Sequence, residues 1–380
     1  MSRPWLSLPS LQQPEYEDQS QLSTVLNHLK TVSGLVNKEE LAELKSLIND
    51  ASQGTQFILQ VGDCAEAYSD CTPEIINEKL RVYNMYRDLI SSIIGKPVVL
   101  LGRIAGQFTK PRSEPYETVN GVQVASYKGD LVNSIDPNNR KPDPQRMVEG
   151  YNHAATVFSC IRNSGNKVFT SHEALHVLFE DSFTRDIENG YINASSHLLW
   201  LGERTRKLGS GHVELLSVIS NPIGIKVGPN ANLSDLVEIL RKLNPANELG
   251  KVILILRVGV PNLRAQLPNI VETVNREGIK VAWIVDPMHA NTYKTSNGFK
   301  SRKVETLVEE VLLVSEILKE CGENLAGVHL ESAFKDVTEC VGLGIEESNL
   351  PDKYETLCDP RLNVEQTQFL LRELGSKLVS

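Results

Sequence analysis

No apolar run in the 380 residues approaches the roughly 20 consecutive residues a bilayer-spanning helix requires, so no membrane partner is expected. Cysteine is scarce. Six residues, at positions 64, 71, 160, 321, 340 and 358, are too few and too scattered for a disulfide scaffold, and a reducing cytoplasm is the expected location. Basic residues do not predominate either: 39 Lys and Arg against 48 Asp and Glu leave a formal charge of -9. That balance argues against a nucleic-acid partner, because a phosphate backbone wants a basic face. It does not argue against small anions, since a local basic pocket can sit inside an acidic protein. There is no dinucleotide or P-loop glycine fingerprint; Gly102-Arg-Ile-Ala-Gly106 is too short and unsupported, which disfavours a nucleotide cofactor. Internal repeats and low-complexity tracts are also missing, and Met1-Ser-Arg-Pro-Trp-Leu6 has neither the basic leader nor the apolar core of a signal peptide.

What is present is an ordinary globular composition, 41% hydrophobic and 23% charged, able to bury a large core. Residues 1–54 read as an N-terminal extension: Leu8 to Pro14 is extended, because two prolines within seven residues block regular helix. Amphipathic helices follow near Gln21–Leu29 and Lys38–Ser52. From residue 55 to 380 short β-branched runs alternate with helical spacing. The runs are Gln56–Val61, Pro97–Leu101, Lys167–Thr170, His197–Leu201, Ile223–Val227, Val252–Leu256, Val281–Val285 and Gly327–Leu330. Near-continuous apolar strands separated by helices predict an α/β fold with a parallel sheet covered on both faces. Eight such units favour a (β/α)₈ TIM barrel, with a doubly wound open sheet as the competitor. The interval Thr109–Asp143, rich in Pro, Asn, Asp and Gly, reads as an excursion over the barrel mouth.

Polar residues follow the strands almost without exception, and in such a barrel the C-terminal strand ends converge on one mouth. One set is cationic: Arg103, Lys110, Arg112, Arg204, Lys226 and Arg257. Guanidinium forks and ammonium groups in that number expect more than one carboxylate or phosphate group. Lys226 and Arg257 end apolar strands, where an unpaired cation would be costly, so a ligand role is expected there more than for the loop residues Lys110 and Arg112. The other set is Cys64, His289, Glu331 and Asp359: a thiolate, an imidazole and two carboxylates, suited to a borderline divalent ion. Each taken alone also suits a bland role, Cys64 as a small buried hydrophobe and His289 as a structural histidine.

Several runs then resemble the class II family of 3-deoxy-D-arabino-heptulosonate 7-phosphate (DAHP) synthases. They include Gly62-Asp-Cys-Ala-Glu66, Arg103-Ile-Ala-Gly-Gln107, Lys110-Pro-Arg-Ser113, Ser171-His-Glu-Ala-Leu175 and Trp200-Leu-Gly-Glu-Arg-Thr-Arg206. Asn221 to Asn230, Asp286-Pro-Met-His289, Gly327 to Glu331, Thr338-Glu-Cys340 and Tyr354 to Asn363 continue in the family's order. The resemblance implies a metal-dependent transferase that condenses phosphoenolpyruvate with erythrose 4-phosphate and releases phosphate. By motif, Cys64, His289, Glu331 and Asp359 would bind the metal, Mn²⁺ first, with Co²⁺ or another divalent ion as alternatives. Arg103, Glu203, Arg204, Lys226 and Arg257 would hold phosphoenolpyruvate, with Glu203, Lys226 and Arg257 as catalytic groups. Lys110, Arg112 and Ser113 would hold the phosphate of the aldose. Val61 departs from a glycine common in the family before Gly62. The short link Ile161–Lys167 lacks the extra helices that help longer bacterial members form an aromatic-amino-acid site. The chain thus looks like the compact members of phenazine-type secondary metabolism, with weak or no feedback by Trp or Phe. A homo-oligomer, a dimer first, is expected. A metal-dependent aldolase or isomerase on the same barrel, and a barrel that has lost activity and serves as a binding partner, remain as competing readings.

Overall fold

The computed structural model describes residues 3–119, 121–188 and 190–379. Eight parallel strands close into a barrel: Phe57–Gly62, Val98–Arg103, Phe169–Glu173, Leu198–Leu201, Ile223–Val227, Val252–Leu256, Ala282–Val285 and Leu325–Glu331. Each pairs with its neighbours in chain order, and the last pairs with the first through Gly62 opposite Glu331. The barrel replaces the open-sheet alternative. A helix follows each strand: α3 (Pro73–Ile94), α4 (Gln145–Asn163), α5 (Val177–Ser182), α6 (Gly211–Val218), α7 (Leu233–Leu243), α8 (Val260–Arg276), α9 (Val304–Glu320) and α10 (Val364–Val379). Two helices precede them, α1 (Gln19–Thr31) and α2 (Lys38–Ser52). Three two-stranded hairpins lie between barrel elements, Tyr116–Val119 with Val122–Ala125, Thr184–Ile187 with Gly190–Asn193, and Tyr293–Lys294 with Lys300–Ser301.

Local chemistry sets the element ends. Asn37 and Glu40 form a reciprocal capping box at the start of α2, with Asn37 Oδ1 accepting the Glu40 N–H at 3.0 Å. Thr72 caps α3 ahead of Pro73, and Gly95 ends it in the left-handed region at φ +64°, where a Cβ would be strained. The third strand begins at Phe169 and runs through Ser171-His172-Glu173, two to three residues later than the apolar pattern predicts. Polar residues can extend a strand here because neighbouring strands bury them at the mouth.

Alternation along the strands divides the core. Phe57, Leu59 and Val61 face the helices, while Ile58 joins Val99, Leu101, Phe169, Leu198, Trp200, Ile253, Ile255 and Ile284 inside the barrel. Helix α2 closes the bottom of that interior: Leu44, Ile48 and Ala51 belong to the same cluster and are fully buried. Above this apolar floor lies a polar layer. Gln60 Nε2 donates to Ser171 Oγ at 3.0 Å, and Gln60 Oε1 meets His329 Nδ1 at 2.7 Å. The same inward parity then delivers charged groups at the top. The barrel is therefore dry at one end and ionic at the other.

Leu44 tests the closure by α2. Leu44→Ala is expected to lower unfolding free energy by about 2–5 kcal/mol in urea titration, as for other fully buried leucines. Leu11→Ala, on an exposed side chain, should stay within about 0.5 kcal/mol. A Leu44→Ala loss no larger than that of Leu11→Ala would show that α2 is not part of the core.

Candidate active site

Strand ends supply most of the groups at the mouth. Cys64 follows the first strand, Glu173 ends the third, Lys226 lies in the fifth, and Asp286 and His289 follow the seventh. Glu331 ends the eighth strand, and Asp359 arrives on the loop that precedes α10. A cavity of about 420 Å³ opens among them, lined by Lys110, Glu173, Glu203, Arg204, Lys226, Arg257, His289, Lys300 and Asp359, among others. A smaller lobe of about 140 Å³ adjoins it, lined by Lys110, Arg112, Ser113, Arg204, Lys300, Cys358 and Asp359.

Three of the four expected metal ligands group together, and the fourth, Cys64, lies against the backbone of one of them. One ligand atom each of His289, Glu331 and Asp359 lies within 4.8 Å of the others. Cys64 Sγ accepts the Asp359 N–H at 3.4 Å, joining positions separated by 295 residues. His289 Nδ1 lies 2.7 Å from Asp286 Oδ2 and 3.2 Å from Lys226 Nζ; with the ring proton on Nδ1 towards Asp286, Nε2 carries the lone pair. That Nε2 faces Glu331 Oε1 at 3.0 Å. Two acceptors at that distance need a proton or a cation between them, and a carboxylate behind a histidine is the usual support of a metal-binding imidazole. The donor set therefore fits a divalent ion.

Electrostatics agree with an anionic cluster inside a cationic rim. Burial would raise the Glu331 carboxyl, but His289, Lys110 and Arg302 hold it well below the usual range. Asp359 is likewise held low against burial, mainly by Lys110 at 2.9 Å. The Cys64 thiol is drawn down to about 7, chiefly by a hydrogen bond with Cys358, with burial opposing and Lys110 assisting. Lys226 is lowered by burial and steadied by Asp286 at 2.9 Å. It lies over the face of Trp200, whose ring also carries Arg103.

The expected anion-binding residues divide into two layers. Lys226, Arg257, Arg204 and Lys110 line the main cavity. Arg103 lies beneath it, with its guanidinium donating to Asp63 O, Cys64 O and Glu331 Oε1. Ser113 Oγ accepts from Arg204 at 2.8 Å, and Arg112 pairs with Glu117 at 2.6 Å beside the smaller lobe. Glu203 is spoken for: Oε2 accepts the Gly228 N–H and Oε1 accepts from Arg206, each at 2.7 Å.

Other groups at the mouth were not assigned from sequence. Glu173 borders the cavity with Oε1 buried and without a hydrogen-bond partner, and a Cβ on Gly202 would sit 2.0 Å from that oxygen. Its position after a strand was the available signal; its free oxygen was not readable. Lys300 reaches the mouth from the hairpin Tyr293–Lys294 and Lys300–Ser301, which has no sequence pattern to set it apart. Arg302 is fully buried, with Nη2 2.9 Å from Glu331 Oε2. Glu66 shapes the loop after the second strand by accepting the N–H groups of Ala105, Gly106 and Gln107, at 3.1, 2.9 and 2.8 Å. Ala105 there has φ +66°.

A buried ion network underlies the ligands. Asp63 pairs with Arg361 at 2.6 Å and with Lys79 at 2.8 Å, and Arg361 pairs with Glu339 at 2.7 Å. Burial would raise the Asp63 carboxyl, but Lys79 and Arg361 hold it down to about 2. The folded value lies below the unfolded one of about 3.9, so this stabilisation is present above about pH 4 and is lost as pH falls towards 2. Asp63→Asn should therefore cost about 3 kcal/mol at pH 7, since it removes the hydrogen-bonded carboxylate of buried Lys79 and one of the two carboxylates on Arg361. Urea titrations should show the deficit shrinking below pH 4; an equal deficit at pH 3 would contradict the assignment.

Residues 1–167 and 163–371 match the model of the Class-II DAHP synthetase family. The chain is 36% identical over 432 residues to the phospho-2-dehydro-3-deoxyheptonate aldolase of Streptomyces coelicolor, covering 97% of this chain and 96% of that one. It is 35% identical over 436 residues to the enzyme of the same name from Neurospora crassa, covering 95% and 91%. A probable phospho-2-dehydro-3-deoxyheptonate aldolase of Pseudomonas fluorescens is 35% identical over 370 residues, covering 94% and 92%. Among solved structures, the phospho-2-dehydro-3-deoxyheptonate aldolase of Francisella tularensis SCHU S4 superposes with a TM-score of 0.58 at 15% identity, covering 96% and 98%, a likeness of fold. Matches of this length and identity, on a barrel whose mouth gathers the motif residues, establish that the chain belongs to the class-II DAHP synthetase family.

Proposed function

We propose that this chain condenses phosphoenolpyruvate with erythrose 4-phosphate, releasing phosphate, at the mouth of the barrel. The observation that carries the reading is one cavity holding two kinds of group: Lys226, Arg257 and Arg204 for anions, and His289 and Asp359 beside Glu331 and Cys64 for a metal. The names of the relatives support it.

Lys226, Arg257 and Arg204, with Arg103 beneath, hold the carboxylate and phosphate of phosphoenolpyruvate, while Lys110, Arg112 and Ser113 hold the aldose phosphate in the smaller lobe. Two anions that repel in water are thereby set side by side. Cys64, His289, Glu331 and Asp359 would hold a divalent ion, Mn²⁺ first, which supplies Lewis acidity towards the aldehyde oxygen. The enol carbon of phosphoenolpyruvate bonds to the aldehyde carbon, water adds at C2, and the resulting hemiketal phosphate expels inorganic phosphate. Glu173 takes the proton from that water. Glu173 borders the cavity and its buried Oε1 has no hydrogen-bond partner, whereas both oxygens of Glu203 are engaged.

The reading extends to regulation and setting. Helix α4 ends at Asn163 and the third strand starts at Phe169, with no helix between them to build a further amino-acid site. Insensitivity to Trp and Phe, and a role in secondary metabolism of the phenazine type, follow as proposals. The six cysteines are free, as suits a reducing cytoplasm.

Phosphoenolpyruvate consumption, followed by ultraviolet absorbance, should require erythrose 4-phosphate, stop on chelation and return with Mn²⁺. No turnover by folded, metal-loaded protein would overturn the function. Ten-fold inhibition by Trp or Phe below millimolar concentration would overturn the proposed insensitivity. In the same assay Glu173→Gln should lower kcat by about 100-fold or more, with both KM values within about three-fold. A variant retaining a third of wild-type kcat would remove Glu173 from that role.

A further inference from the structure

The segment ahead of α1 runs along the barrel and is fastened at close intervals. Arg3 and Trp5 Nε1 both reach Asp181 Oδ1 at 2.7 Å. Pro9 O accepts the Gly211 N–H at 3.1 Å, and a Cβ on Gly211 would lie 2.6 Å from Trp5 O, so the two backbones touch. Gln13 Oε1 accepts the Val177 N–H at 2.9 Å while its Nε2 donates to Leu175 O at 2.7 Å. Tyr16 Oη meets His176 Nε2 at 2.7 Å.

Between these anchors Gln12 is turned the other way. Its φ is +64°, in a region that L side chains rarely adopt and that persists only where the surroundings impose it. The turn aims its side chain at the Lys110–Ser113 segment, where Gln12 Oε1 accepts the backbone N–H of Arg112 at 2.9 Å. Arg112 and Ser113 line the smaller cavity lobe, and Lys110 lines both. The neighbouring backbone is also tied on its other side, where Lys110 N–H donates to Lys128 O at 2.9 Å and Ser126 Oγ donates to Glu114 O at 2.8 Å.

We infer that Gln12 is a positioning residue: the N-terminal strap clamps the Lys110–Ser113 segment and so sets the geometry of the smaller anion-binding lobe. Gln12 lines neither cavity and acts through Arg112. The consequence for substrates rests on the function proposed above: the clamp acts on capture of the phosphorylated aldose and leaves the phosphoenolpyruvate subsite at Lys226 and Arg257 alone.

Three variants test it. Gln12→Gly removes the acceptor and relieves the strain, Gln12→Ala removes the acceptor alone, and Gln12→Glu keeps an acceptor oxygen. Gln12→Gly and Gln12→Ala should raise KM for erythrose 4-phosphate about three- to ten-fold, the loss of one hydrogen bond. KM for phosphoenolpyruvate and kcat should stay within about two-fold, and Gln12→Glu should restore the wild-type KM. Hydrogen exchange followed by mass spectrometry should show the segment around Arg112 exchanging about ten-fold faster in Gln12→Gly than in wild type. An unchanged aldose KM, an equal rise in both KM values, or unchanged exchange at Arg112 would overturn the inference. A wild type that performs no condensation would instead overturn the functional reading, and the exchange comparison would then decide the clamp alone.

Discussion

The buried pair between Asp63 and Arg361 is the contact on which the site depends, because it closes a span of 298 residues next to two of the four expected ligands. Asp63 adjoins Cys64, and Arg361 stands two positions after Asp359. Charges removed from water are costly unless each finds partners, and here each does. Lys79 from α3 completes Asp63; Glu339 meets Arg361 through its backbone N–H, Nε and Nη2. The network therefore turns the barrel's first strand end and the loop before its last helix into one rigid corner. Cys64 and Asp359 face each other as a result.

Glu331 does similar work from the eighth strand. Arg103, Lys110, Arg302 and His289 all reach it within 3.3 Å, so one carboxylate gathers three cations and an imidazole. Arg103, placed below the cavity, fixes Glu331 and the Cys64 carbonyl while lying on Trp200 with Lys226. The candidate metal-binding cluster and the cationic wall of the cavity thus share a foundation. Chemistry that must bring two anions and a cation together gains from this sharing, because a group that sets one subsite also sets the other.

Much of this was legible in the sequence for a physical reason: a barrel repeats one strand–helix unit, so apolar runs locate the strands and the residues after them locate the mouth. Ile223–Val227 and Val252–Leu256 stand where the pattern puts them, and His289, Glu331 and Asp359 lie close together with Cys64 Sγ against the Asp359 backbone. The third strand was misplaced because Ser171-His172-Glu173 is polar yet buried, and hydropathy does not register burial by neighbours. The ionic corner was not readable, since nothing local ties Asp63 to Arg361. Nor was the contrast between Glu203, whose oxygens are both engaged, and Glu173, whose Oε1 is free; that depends on which partners arrive from other strands.

The central claim is that one divalent ion binds between Cys64, His289, Glu331 and Asp359, beside the anion-binding wall. Anomalous diffraction from a crystal grown with Mn²⁺ tests it most directly. The account predicts a single strong peak within bonding distance, about 2.0–2.4 Å, of His289 Nε2 and the Glu331 and Asp359 carboxylates, with Cys64 Sγ also in the coordination shell. A peak at the alternative cluster of Asp286, His289 and His329, or none in the barrel mouth, would contradict it.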